Sequence, residues 1–180
     1  MPVTPLHYGA AYIISKVKIG LVLPALVVGS MLPDLEPFAS IVTGGSLTPP
    51  RGLMHSLLGA ITLDAFLTVL VTMFLYPSLV SWIFKLEKKD VAEKCRFSCM
   101  LILSALVGTF FHVLIDSLSH EYNPLLYPFT SVSFDAFVLF GNWLLAGIFV
   151  QSVLLVALLI IFVYEFRKGT QGFWKRVLAG

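Results

Sequence analysis

A chain of 180 residues that is 58% hydrophobic and only 12% charged, with a mean hydropathy of +0.92, carries more apolar surface than one small soluble core can hide. A bilayer has to take up the rest. The formal net charge of +2 excludes strong attraction to nucleic acid or to acidic substrates, and the length fits one membrane-embedded helical domain over residues 1–180.

Four apolar stretches organise the chain. The first, Tyr8 to Leu32, is interrupted by Lys16, Lys18 and Gly20. One straight helix would carry both lysines toward mid-bilayer at about 2.5–3.5 kcal/mol each, so a helical hairpin turning near residues 16–20 is expected. Thr4-Pro5 reads as its start, with Thr as N-cap and Pro in the first turn. The second stretch (Leu53 to Phe84), the third (Phe97 to Leu118) and the fourth (Trp143 to Tyr164) each have the roughly 20 apolar residues that a crossing needs. Cys95 and Cys99, four apart on a helix, read as reduced structural thiols. The first residues lack a signal-peptide pattern, so insertion is expected to depend on the internal helices. The fold class is therefore all-α: a multi-pass membrane helical bundle with an N-terminal hairpin and about three full transmembrane helices. Its motif-bearing part is 1–130, and a C-terminal transmembrane helix and basic tail cover 143–180.

Charge gives the expected orientation. Lys16 and Lys18, the loop 85–96 and the tail after Tyr164 hold eleven of the twelve Lys and Arg residues, and only Arg51 falls on the other side. By the positive-inside rule the basic side is cytoplasmic. The segments Pro33–Gly52 and Ser119–Asn142 read as polar connections, with Pro49-Pro50 and Asn123-Pro124 as turns, and Trp82, Trp143, Tyr122 and Tyr127 as interfacial aromatics.

On this topology the unusual residues collect opposite the basic loops. His7 opens the hairpin and Asp34 and Glu36 close it. His55 begins the second span, four residues after Arg51, and His112, Asp116 and His120 follow at i, i+4 and i+8 on one helical face. Imidazoles and carboxylates together suit a divalent cation, zinc above all. Arg51 suits an anionic substrate, because its fork matches phosphate or carboxylate. Singly, each residue also fits a plain interhelical hydrogen bond, and His120 fits a solvated loop. Asp64, half a turn around the helix from His55, is left outside the cluster, and Gln151 reads as a packing residue.

The opening MPVTPLH, the run GSMLPDLEP (Gly29 to Pro37), RGLMHS (Arg51 to Ser56), HVLID (His112 to Asp116) and YPF (Tyr127 to Phe129) together resemble the YdjM-like family of membrane-bound metal-dependent hydrolases, over residues 1 to about 130. The PD and H-x3-D elements are a distant echo of zinc-dependent phospholipase C-type helical hydrolases. The resemblance implies His7, Asp34, His55, His112 and Asp116 as metal ligands, with Arg51 alongside. The chain departs from the pattern at Met54, Pro50 and Glu36, where the family often has Thr, His and Asp. The missing ligand at 50 counts against a two-metal site and leaves room for a single metal.

The leading expectation is a membrane-bound metal-dependent hydrolase of a phosphoester or other ester. Its catalytic residues would be Arg51 with Glu36 or Asp116 as general base, and its partners the bilayer and a lipid or phosphoester substrate. The alternatives are a non-catalytic membrane protein that uses the cluster for packing or partner binding, a haem protein with His55 and His112 as axial ligands, and, last, a transporter.

Overall fold

The structure, a computed structural model, describes residues 4–17, 20–42 and 51–180. The readings made on Lys18, Pro49 and Pro50 fall outside these. Among the described residues all the regular structure is helical, with no strand. After a 3-10 turn, Thr4–Leu6, come α1 (His7–Ser15), α2 (Leu23–Gly29) and α3 (Leu35–Val42). The spans α4 (Leu57–Phe84), α6 (Cys99–Ser117) and α7 (Trp143–Arg167) are long and apolar enough to cross a membrane. The short helices α5 (Lys88–Lys94) and α8 (Phe173–Leu178) follow α4 and α7.

The expected hairpin is present as α1 and α2. Its arms have 9 and 7 residues, about 14 and 11 Å at 1.5 Å per residue, against a hydrocarbon core of about 30 Å. Neither arm crosses. Instead the hairpin is wrapped by the spans, and α2 buries Leu23, Pro24, Ala25, Leu26, Val27 and Gly29. Its closest partner is α6, where small residues let the backbones meet. A Cβ on Gly108 would stand 2.8 Å from the Leu26 carbonyl oxygen and 3.2 Å from Gly29 Cα. This contact sets the depth of α2 beside the helix that carries His112 and Asp116.

The basic end is closed by α8, which folds back against the hairpin. Tyr8 Oη donates to Val177 O at 2.7 Å and Tyr76 Oη to Leu178 O at 2.8 Å. Glu165, buried near the end of α7, accepts from Tyr12, from Lys168 at 2.7 Å and from Arg176 Nε at 2.9 Å.

Four local expectations change. Thr4 starts a 3-10 turn and does not cap α1, whose N-cap is Leu6 with no side-chain bond. Span α4 begins after His55, at an N-cap Ser56 that accepts from Gly59 N, and it contains π-helical segments at Ala60–Asp64 and Val71–Leu75. The segment 33–52, read as a connection, contains α3. His120 is buried rather than solvated. Cys95 and Cys99 are free thiols, as expected.

Candidate metal centre

Two short turns and the end of one span meet at the end of the bundle away from α8. The turn Leu32–Asp34 follows directly on the hairpin and presents Asp34. The turn Leu53–His55 presents His55 just ahead of α4, and the last two turns of α6 present His112 and Asp116. Ligand atoms of Asp34, His55, His112 and Asp116 all lie within 4.8 Å of one another. Asp34 Oδ1 is 3.7 Å from His55 Nε2 and 3.6 Å from His112 Nε2. Asp116 Oδ2 is 3.9 and 3.5 Å from the same two nitrogens. Donors bound at about 2.0–2.2 Å to a tetrahedral ion stand roughly 3.4 Å apart, so the spacing is close to that of a formed site.

The tautomers are set by the partners of the other ring nitrogens. His55 Nδ1 is 3.0 Å from Glu36 Oε2, and His112 Nδ1 is 2.8 Å from the Ser30 carbonyl oxygen. Both partners only accept, so each Nδ1 carries the hydrogen. Each Nε2 is then left with its lone pair toward the shared centre, the arrangement that metal-binding histidines use. Neither Nε2 has a hydrogen-bond partner, although both are buried. Buried polar atoms are nearly always satisfied, and these two point at one spot.

The charge is also unbalanced. Counting Asp34, Glu36 and Asp116 as three negatives and Arg51 as one positive leaves two negative charges, which a divalent cation would cancel. Around the centre, burial works to raise the pKa values of Asp34 and Glu36. The neighbours together outweigh it, the His55 ring with His112 and Thr4 for Asp34, and His55 Nδ1 with the Gly52 and Met54 amides for Glu36, and both end below the usual carboxylate range. Burial works to lower His55, but Asp34 and Glu36 hold it above the usual imidazole value. His120, with less help, is pushed down by burial to about 4.

The other expected site residues surround these four. His7 Nε2 lies 3.4 Å from Asp116 Oδ1, and its ring stacks 4.5 Å from that of His112; it meets the far oxygen of Asp116, outside the group of four. Arg51 donates to Asp116 Oδ2 at 2.5 Å. Glu36, expected as a general base, is held by His55 Nδ1 and by the Gly52 amide at 3.0 Å: it orients His55 and leaves little freedom for base work. His120, not assigned to the site from sequence, has Nδ1 2.9 Å from the Asp116 carbonyl oxygen and 3.9 Å from Asp116 Oδ1. Its i+8 spacing from His112 was the available signal. Asp64 is fully buried, its oxygens without a hydrogen-bond partner, and outside the group.

These motif-bearing turns lie within a match to one family model, that of the YdjM inner membrane protein, which covers residues 6–174. The chain belongs to the YdjM inner membrane protein family. Membership extends the likeness past residue 130, through the fourth apolar stretch and into the first two residues of α8. Comparison with curated proteins gave no match, and neither did comparison with solved structures.

Proposed function

We propose that this YdjM family member is a metal-dependent hydrolase that cleaves a phosphoester or other ester at the membrane surface. The observation that carries this reading is the pair of buried, unpartnered Nε2 atoms of His55 and His112 converging on oxygens of Asp34 and Asp116. Those four residues would hold one divalent ion, and their mixed N and O donors suit zinc. An ion there would supply a bound water with its pKa lowered to about 7 and polarisation of a phosphoryl or carbonyl oxygen.

The protein's own groups would divide the remaining work. Asp34 Oδ2 and Asp116 Oδ1 are both buried without a hydrogen-bond partner; Asp34, 11% exposed against 4% for Asp116, lies nearer the opening and would take the proton. Glu36 fixes His55, and His7 lies 3.4 Å from the other oxygen of Asp116. Arg51, with donors left over beyond Asp116, would hold the anionic part of the substrate. The excess of Lys and Arg on the far side supports an orientation with the centre on the outer face of the inner membrane.

The haem alternative fits less well. A porphyrin plane would pass between the two Nε2 atoms, where the oxygens of Asp34 and Asp116 lie within 3.9 Å of both. A second reading does have an observation in its favour. Four protein donors complete a tetrahedron, as in structural sites, so the ion would pin the hairpin to α4 and α6. Purified protein assayed on bis(p-nitrophenyl) phosphate separates the two. Turnover lost with chelator, restored by zinc and absent in His112→Ala supports the hydrolase. Metal uptake with no turnover on phosphodiester, phosphomonoester or carboxylic ester substrates supports the pin.

A further inference from the structure

Resting on the hydrolase reading, we infer that the substrate is a membrane lipid with a phosphoester headgroup, which reaches the centre sideways from the leaflet past α3. Depth comes first. His55 lies two residues before Leu57–Phe84 begins, and His112 and Asp116 lie in the last two turns of Cys99–Ser117. The centre therefore sits where the spans end, at the level of lipid headgroups.

The way in follows from burial. The side chains of His55, His112 and Asp116 are at most 4% exposed, against 11% for Asp34 and 24% for Glu36. Among the described residues of the centre, the opening is at Asp34 and Glu36, where α3 starts. That helix turns Glu36 inward to His55 and presents Leu35, Phe38 and Val42 outward, at i, i+3 and i+7, each more than half exposed. Across the site, the connection from α6 to α7 is tied to the start of α4 by Leu57 N donating to Leu125 O at 3.0 Å. It projects Phe129 and Val132, 82% and 72% exposed.

Apolar side chains this open at headgroup depth are stable when acyl chains cover them, as on an interfacial helix. They continue the lipid-facing surface of α4, where Ile61 and Phe66 are exposed in the first turns. A lipid lying on this collar brings its phosphate to Asp34, Arg51 and the centre while its chains stay in the leaflet. Hydrolysis then breaks one P–O ester bond, places the water oxygen on phosphorus and returns a proton to the departing alcohol.

The test has two arms, both on full-length protein in phosphatidylethanolamine–phosphatidylglycerol vesicles. Nitroxides on Phe38→Cys and Phe129→Cys, with Cys95 and Cys99 changed to Ala, should be several-fold more accessible to oxygen than to a nickel chelate. A nitroxide on Glu87→Cys should show the reverse. Preference for the chelate at 38 and 129 overturns the inference. In the second arm, Phe38→Ser with Val42→Ser should lower hydrolysis of vesicle phospholipid at least tenfold and of bis(p-nitrophenyl) phosphate less than twofold. Equal loss on both substrates overturns lateral access. If the unaltered protein hydrolyses neither, the hydrolase reading fails, and the nitroxide depths still decide whether the collar lies in the leaflet.

Discussion

Arg51 donates to Asp116 Oδ2 at 2.5 Å, the same oxygen that lies 3.5 Å from His112 Nε2 and 3.9 Å from His55 Nε2. The guanidinium thus supplies one of the positive charges that the carboxylates need, and it shares its acceptor with the proposed ion. Replacing it leaves Asp116 buried beside Asp34 without that partner. Arg51→Gln should lose about 3–5 kcal/mol of stability in chelator, with most of the loss recovered on adding zinc. Thermal unfolding in detergent, with and without metal, checks this. A variant that zinc stabilises no more than it stabilises the parent would contradict it.

Glu36 acts on the centre through His55. Glu36→Ala should therefore weaken metal affinity about 10–100-fold, the usual effect of removing a group that orients a ligand. Glu36→Gln, which can still accept from Nδ1–H, should lose less. Asp34→Ala, which removes a proposed direct ligand, should lose more than either. Competition with a calibrated chelator gives the order. Equal affinities for the two Glu36 variants would mean that the carboxylate does not orient His55.

Gly59 makes room for the turn that carries His55. A Cβ there would fall 1.8 Å from the Leu53 carbonyl oxygen, a backbone atom with nowhere to go. Gly59→Ala should displace the turn and cut metal uptake at least tenfold. Gly147→Ala, whose Cβ would meet only the Ser119 carbonyl oxygen at 3.7 Å, should retain it. Both variants need only purification and metal analysis, with circular dichroism to confirm helix content.

Glu165 tests the other end of the molecule. Arg176→Ala removes the bond to Glu165 Oε2 at 2.9 Å and the bonds to the carbonyl oxygens of Glu165, Gly169 and Gln171. Loss of a charged partner for a buried group costs about 1–3 kcal/mol, so α8 should undock and become open to proteolysis. Metal content should stay unchanged, since the centre lies at the opposite end of the bundle.

The hairpin was legible because Lys16 and Lys18 cannot sit at mid-bilayer, and that one argument returns His7, Asp34 and Glu36 to the side of His55 and His112. The chemistry of the centre was legible from residue types and from likeness to a family. Its internal order was not. Nothing in the spacing says that Glu36 turns to His55 rather than to the opening, or that Ser30 offers its carbonyl to His112 across 82 residues. Those choices depend on how two 3-10 turns are cut, and turn geometry leaves only a weak trace in sequence. His120 was misread for a related reason: a histidine just past a helix end reads as solvated until the chain beyond folds over it. The helix α3 was hidden inside a segment whose Pro and Gly content signalled a connection. The bonds of Tyr12 and Arg176 to Glu165 are long-range contacts that no local pattern encodes.

The central claim is that Asp34, His55, His112 and Asp116 hold a metal ion. Metal analysis of protein purified without added chelator tests it most directly, run in parallel on His112→Ala and Asp34→Ala. The account predicts about one equivalent of a divalent ion, zinc foremost, in the parent protein and near none in either variant. Metal content that survives both substitutions would contradict it.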